Sequence, residues 1–231
     1  MDIKENLRVI NENISKACES VDRDPEEVTV IAVTKYVSTD RAKAAIDAGV
    51  MNLGENRMDG LLQKQQVLRD EATWHFIGSL QSRKVKEVIE DIDMLHSLDR
   101  KSLAKEVNKR RNQPLSCFVQ VNISKEETKH GLMPDEVMDF IKMLEVYENI
   151  RVVGLMTMAP HTEEEEKLRA VFRKLRALRD DIQNQKLPHA PCEYLSMGMS
   201  NDYEIAIEEG ATHIRIGTSL VGNETNGGDK R

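Results

Sequence analysis

The chain has 231 residues, of which 39% are hydrophobic, so it is long enough to bury the core of one large domain or two small ones. A net charge of −7 and an aromatic content of 4% exclude a nucleic-acid surface, a single-strand stacking platform and an anionic-membrane surface. Three cysteines that lie far apart, with no Cys/His ligand spacing, exclude a disulfide framework and a cysteine metal site.

The first predicted element is an amphipathic helix over residues 3–21. Its apolar residues recur at spacings of three and four and therefore share one face, namely Ile3, Leu7, Ile10, Ile14, Ala17 and Val21. From residue 28 onward, short apolar strands alternate with amphipathic helices. The strands are predicted at 28–36, 52–56, 74–78, 93–98, 115–122, 150–158, 194–197 and 213–217. The helices between them are predicted at 39–48, 57–70, 81–90, 100–111, 134–147, 163–186 and 201–209.

This alternation predicts an α/β fold, a single (β/α)8 TIM barrel with an extra N-terminal helix. An open doubly wound sheet is the alternative, because periodicity by itself does not show whether a sheet closes. We expect one barrel domain over residues 1–222 and a disordered C-terminal tail at 223–231. Little sequence follows the last strand, so we infer that the N-terminal helix covers the surface that a full final helix would otherwise cover.

Lys35 follows a run of β-branched residues at the end of the first predicted strand. In barrels, the chemistry gathers at the C-terminal ends of the strands. Burial near a packed interior disfavours a charged ammonium, so we expect a neutral amine that is accessible for imine formation. The alternative is a lysine that only extends its charge into solvent from a strand end.

The segment "RIGTS", residues 215–219, predicts an anion site. The loops after strands seven and eight form the recurrent phosphate site of TIM barrels. Gly217 lets the backbone approach a ligand closely, and Thr218 offers a hydroxyl and an N–H. Ser200, at the start of the predicted helix 201–209, adds a second hydroxyl. The strand ends carry no acidic or histidine-rich cluster, so no metal site is expected.

Two residues near these strand ends have structural explanations that compete with functional ones. For Arg215 the alternative is a member of a structural ion pair. His75, within "WHFIG", is interpreted as a hydrogen-bonded packing residue rather than a catalytic base.

A reactive lysine together with a phosphate site is typical of two ligand classes. Pyridoxal phosphate carries both an aldehyde and a phosphate. The substrates of Schiff-base sugar-phosphate aldolases also combine a carbonyl with a phosphate. The chemistry of the residues leaves both classes open.

Five segments carry a resemblance to a known family. They are "AVTKYVS", "NLGENR", "WHFIGSLQSRK", "GLMTMAP" and "LSMGMSNDYEIAIEEGATHIRIGTSLVG". In this order they resemble the pyridoxal phosphate homeostasis protein family, and they extend over most of the chain to residue 222. The last segment is long and specific.

The resemblance implies a fold like the N-terminal barrel of alanine racemase, with pyridoxal 5′-phosphate as the cofactor. It implies that Lys35 carries the cofactor through a Schiff base, that Arg215 faces the pyridine nitrogen and that Asn56 lines the pocket. It further implies phosphate contacts from Ser200, Gly217 and Thr218.

The resemblance also favours a carrier over an enzyme. An arginine that faces the pyridine nitrogen does not give up its proton, so the ring is a weaker electron sink. A two-base racemase needs an acid/base group opposite the lysine. In alanine racemases a second domain supplies it, and we expect this chain to lack that domain. We therefore expect a non-catalytic protein of intracellular pyridoxal phosphate homeostasis, with an amino-acid racemase or another weak pyridoxal phosphate enzyme as the alternative.

The expected partners are pyridoxal phosphate and the apo-enzymes that depend on it, with no nucleic acid and no membrane. The protein is expected to be a monomer. The first residues lack the pattern of a signal peptide, and no apolar run is long enough to span a bilayer. A cytoplasmic location is therefore expected.

Overall fold

The computed structural model describes residues 2–126 and 128–224. Its strands are β1 Thr29–Val33, β2 Asn52–Glu55, β3 Thr73–Phe76, β4 Met94–Leu98, β5 Leu115–Gln120, β6 Ile150–Met156, β7 Tyr194–Met199 and β8 His213–Ile216. Within the described residues, each strand pairs in parallel with the next, and β8 pairs with β1. The predicted TIM barrel is confirmed, and the open sheet is excluded.

The α-helices of the described chain surround this barrel. They are α1 Ile3–Glu19, α2 Thr39–Asp47, α3 Met58–Leu68, α4 Lys101–Arg110, α5 Val137–Met143, α6 Glu165–Gln183, α7 Tyr203–Glu208 and α8 Thr218–Val221. The main apolar core lies where these helices pack on the outer face of the strands.

The N-terminal helix α1 covers the barrel where the final helix is short. Asn13 Nδ2 of α1 donates to the hydroxyl of Tyr203 in α7 at 2.9 Å. Asn6 Nδ2 donates to the carbonyl oxygen of Leu220 in α8, also at 2.9 Å. Helix α8 has four residues. The inferred role of the N-terminal helix is confirmed.

The prediction of one α-helix at 81–90 is wrong. The segment forms two 3-10 turns, Ser82–Glu87 and Ile89–Asp91. Its buried residues, including Val85 and Ile89, are β-branched and lose side-chain freedom in an α-helix. The predicted helix 134–147 also has 3-10 turns at both ends of α5.

The inside of the barrel is partly polar. The His75 ring on β3 and the His213 ring on β8 lie 6.3 Å apart, although these strands are not neighbours, so both rings point inward. The His96 ring on β4 stacks on Phe118 of β5 at 4.2 Å between centroids. All four side chains are buried. Aromatic packing and polar nitrogens therefore share the barrel interior.

The loops at the C-terminal end of the barrel meet the end of the described chain. Glu224 accepts a hydrogen bond from the Ser38 backbone N–H at 2.6 Å, and its own N–H donates to the Tyr36 carbonyl oxygen at 3.2 Å. Residues 225–231 of the expected disordered tail lie outside the described residues. Among the described helices, none combines the length and the apolar character that a bilayer crossing needs.

Candidate functional site

A cavity of about 500 Å³ opens at the C-terminal ends of the strands. This size lies within the usual range of small-molecule sites. The structure places all six predicted site residues in its lining, namely Lys35, Asn56, Ser200, Arg215, Gly217 and Thr218. They come from the ends of β1, β2, β7 and β8, and only closure of the barrel brings them together.

Lys35 lies in a turn two residues beyond the end of β1, not in the strand. Its side chain is exposed, and its Nζ lies 4.8 Å from the centre of the Tyr36 ring. The expected burial of Lys35 is therefore wrong. The physical reason is Thr34, which turns inward to donate its hydroxyl proton to the buried Glu55 carboxylate at 2.6 Å. The next side chain then faces the open mouth of the cavity.

Asn56 follows β2, lines the cavity and has a buried side-chain acceptor. A Cβ atom on Gly78 would lie 2.2 Å from the Asn56 carbonyl oxygen, so the loop after β3 needs glycine to pass this close. The side-chain Oδ1 of Asn56 is buried and has no hydrogen-bond partner among the described residues. An acceptor in this state costs free energy unless a ligand donates to it.

Three hydroxyl residues, Ser200, Thr218 and Ser219, stand in the segments that follow β7 and β8. Ser219 Oγ donates to Ser200 Oγ at 3.0 Å. Helix α8 begins at Thr218, with Gly217 as its N-cap. Sequence reasoning missed Ser219, although it stands in the "RIGTS" segment, because its contact to Ser200 depends on the neighbouring loop.

The predicted start of the helix after β7 is wrong. Helix α7 begins at Tyr203, and Ser200 lies in the turn before it. The Asp202 carboxylate accepts the Met199 backbone N–H at 2.5 Å, which holds residues 199–202 in this turn. Asp202 also lines the cavity, and burial raises the pKa of its carboxyl.

Arg215 forms part of the floor of the cavity and is only 5% exposed. Nη1 donates to Ser196 Oγ at 2.6 Å, and Nη2 donates to the Thr157 carbonyl oxygen at 2.9 Å. Burial lowers the pKa of the guanidinium to about 10, against the opposing influence of Asp202, so it is charged at neutral pH. No carboxylate among the described residues lies within ion-pair distance, so the structural ion-pair explanation fails.

Among the described histidines, two line the cavity and His75 lies in the barrel interior. His75 hydrogen-bonds to His96 and Asn52, which confirms its interpretation as a hydrogen-bonded packing residue. His130 and His161 line the cavity from the loops after β5 and β6. Sequence reasoning missed both, because they stand several residues beyond their strands. Among the described residues, no group of three or more metal-ligating side chains is found.

The comparisons with known proteins agree with this geometry. Residues 6–225 match the family described as "Alanine racemase, N-terminal domain". The pyridoxal phosphate homeostasis protein of Aquifex aeolicus (strain VF5) is 42% identical, over 96% of this chain and 98% of the relative. The chain belongs to the pyridoxal phosphate homeostasis protein family.

Solved structures place this family member among similar barrels. PipY of Synechococcus elongatus PCC7942, solved with PLP bound, is 32% identical with a TM-score of 0.79, over 90% of this chain and all of PipY. An alanine racemase from Clostridium difficile 630 has a TM-score of 0.77 at 15% identity, over 98% of this chain and 58% of the racemase. The likeness to the racemase is one of fold.

Proposed function

We propose that this chain binds pyridoxal 5′-phosphate in the cavity at the barrel mouth and serves the homeostasis of this cofactor. One observation carries the proposal. A single cavity joins the exposed amine of Lys35, the hydroxyls at Ser200 and Thr218, and the buried cation of Arg215. Pyridoxal phosphate presents the matching groups, which are an aldehyde, a phosphate and a ring nitrogen. A relative of 32% identity was solved with PLP bound.

Lys35 is the residue that would hold the aldehyde. Its nitrogen would bond to the aldehyde carbon, and the carbonyl oxygen would leave as water with the two protons of the neutral amine. The exposure of Lys35 leaves its amine accessible to an incoming aldehyde. This step is reversible in water, and reversibility suits a protein that takes up and releases the cofactor.

The phosphate end would lie at the three hydroxyl residues. Thr218 and Ser219 stand at the start of α8, and Ser200 faces them from the loop after β7. Gly217 has no side chain that would separate a phosphate from the backbone. The buried Oδ1 of Asn56 offers an acceptor to a hydroxyl of the ligand.

We propose that the bound cofactor is held rather than used for catalysis. The Arg215 guanidinium stays protonated near neutral pH, so it would donate a hydrogen bond to a ring nitrogen without transferring its proton. The cofactor supplies electron withdrawal from an attached amino acid, and an unprotonated ring withdraws electrons less strongly. Transfer to apo-enzymes, a monomeric state and a cytoplasmic location stay predictions.

The binding proposal is tested by reductive labelling. The apo-protein is incubated with pyridoxal phosphate, reduced with borohydride and digested for peptide mapping. We expect one pyridoxyl label, on Lys35, and no label at this stoichiometry in Lys35→Met, which keeps the length of the side chain. An equal label on another lysine of the wild-type protein would refute the assignment.

The non-catalytic proposal is tested by proton exchange. The holo-protein is incubated with L-alanine in D₂O, and α-deuteration and the D-isomer are followed by NMR and chiral chromatography. We expect exchange no faster than with free pyridoxal phosphate. Turnover on the order of 1 s⁻¹ that is lost in His130→Ala or His161→Ala would instead support the racemase alternative, with that histidine as the base.

A further inference from the structure

A line of hydrogen-bonded side chains crosses the barrel interior beneath the cavity. It begins at Arg215, whose Nη1 lies 2.6 Å from Ser196 Oγ. Ser196 Oγ lies 2.9 Å from His96 Nδ1, and His96 Nε2 lies 2.9 Å from His75 Nδ1. His75 Nε2 lies 3.0 Å from Asn52 Oδ1. The line therefore joins the cavity floor to the beginning of β2.

The chemistry of the two ends decides where each proton lies. Arginine only donates, so Ser196 Oγ accepts from Arg215. The acceptor Asn52 Oδ1 at the far end then sets the direction of the line, so Ser196 gives its own proton to His96 Nδ1. His96 then carries its proton on Nε2 and donates to His75 Nδ1. His75 in turn carries its proton on Nε2 and donates to Asn52 Oδ1.

The opposite arrangement fails at the far end of the line. If both histidines carried protons on Nδ1, then His75 Nε2 and Asn52 Oδ1 would be two acceptors facing each other at 3.0 Å. Every donor therefore points away from Arg215, and every acceptor atom points towards it. This is the arrangement of dipoles that stabilises a buried cation.

The line does not conduct protons at neutral pH. Burial lowers the pKa of His75 to about 3 and holds the pKa of His96 well below its usual value, so both rings are neutral. Asn52 neither accepts nor releases a proton. The function that remains for this line is to hold the Arg215 guanidinium in place.

We propose that His96 and His75 are positioning residues for Arg215, acting through Ser196 to hold its guanidinium on the cavity floor. Among the described residues, the hydrogen bonds of Arg215 go to a serine hydroxyl and a backbone carbonyl, which are neutral, so no carboxylate at ion-pair distance competes with a ligand for its charge. The link to cofactor binding rests on the proposed function.

The proton positions are tested in the ligand-free wild-type protein. Two-bond ¹H–¹⁵N NMR spectra of ¹⁵N-histidine distinguish protonated from unprotonated ring nitrogens. We expect both His75 and His96 to be neutral at pH 7, with the proton on Nε2. A proton on Nδ1 of either ring, or a charged ring, would overturn the proposal.

The positioning role is tested by breaking the line at two points. Ser196→Ala removes the link to Arg215, and His96→Phe removes both ring nitrogens while keeping a ring against Phe118. Each is expected to lower the affinity for pyridoxal phosphate about three- to tenfold, the range of a neutral hydrogen bond. The double variant should bind no more weakly than either single variant, since both interrupt the same line.

A buried histidine outside the line provides the control. His213 bonds to Thr212 rather than to this line, so His213→Phe should leave the affinity within about twofold of the wild type. Affinities of Ser196→Ala and His96→Phe that match the wild type, or additive losses in the double variant, would refute the role. If the wild-type chain bound no pyridoxal phosphate, the proposed function would fail, and the NMR spectra would still decide the proton positions.

Discussion

Lys35 stands at the exposed mouth of the cavity, where solvent reaches its amine. Desolvation therefore does not explain why this lysine would react in the free protein. The position of Lys35 in the cavity explains its proposed reactivity better than desolvation does. A phosphate anchored near Thr218 would hold the aldehyde of the same ligand close to Lys35, and such proximity raises the effective concentration of the reacting groups.

Thr218→Val tests this anchoring at a single residue. Valine keeps the volume and the β-branching, whereas the hydroxyl that we propose as a phosphate contact is lost. Hydrogen bonds to charged groups contribute roughly 1.5–3 kcal/mol, and Thr218 is exposed, so we expect the affinity to fall about tenfold, at the lower end of this range. A fluorescence titration with pyridoxal phosphate measures the change.

Thr162 supplies a matched control for this substitution. It lines the same cavity from the loop after β6, a different loop from those that carry the three hydroxyl residues. Thr162→Val should leave the affinity near that of the wild type. Equal effects of the two substitutions would remove Thr218 from the phosphate site.

At the level of elements, a buried ion pair connects the strand ends that carry the site. Lys64 Nζ of α3 lies 2.9 Å from Glu55 Oε1 at the end of β2, and both side chains are almost fully buried. Thr34, just before Lys35, donates to the same carboxylate oxygen. The pair thus links α3 with the two loops that present Lys35 and Asn56.

Lys64→Met is expected to destabilise the fold by about 3–5 kcal/mol, because it leaves a buried carboxylate without its cation. The combined variant Glu55→Gln with Lys64→Met should recover much of this loss. Urea titrations measure the free energy of unfolding. As a control, Lys167→Met breaks an exposed pair with Glu164 and should change that free energy very little. Equal losses in Lys64→Met and Lys167→Met would contradict the assigned role of the buried pair.

At the level of the whole molecule, the barrel encloses neutral histidines beside a buried arginine. Burial lowers the pKa of His75 to about 3 and that of His213 to about 4, and it also lowers the pKa of His96. Between pH 6.5 and these values, the unfolded chain binds protons that the folded chain does not. The contribution of these histidines to the free energy of unfolding is therefore fully present above about pH 6.5, and it is lost as the pH falls.

Each histidine should remove about 1.4 kcal/mol of stability per pH unit in this window. Urea titrations between pH 7 and pH 4 are expected to show this steep decline. His213→Phe should reduce the change in the free energy of unfolding with pH by the contribution of one histidine, since phenylalanine does not titrate. A free energy of unfolding that is constant from pH 7 to pH 5 would show that the histidines are not neutral and buried as described.

The sequence by itself predicted the barrel and six residues that line the cavity. Eight apolar strands with helices between them favoured a closed barrel over an open sheet, and the strand-end rule selected Lys35, Arg215, Gly217 and Thr218 as candidates. These features are local, because periodicity and glycine positions depend on neighbours in the chain. The segments that carry the family resemblance are local in the same sense.

Only the tertiary structure decided the features that depend on contacts between distant strands. The exposure of Lys35 follows from the inward turn of Thr34 onto Glu55. The contact of Ser219 with Ser200 and the line from Arg215 to Asn52 join strands far apart in sequence. The periodicity of the sequence does not encode which inward-facing polar groups meet, because barrel closure and strand register set the distances between these groups.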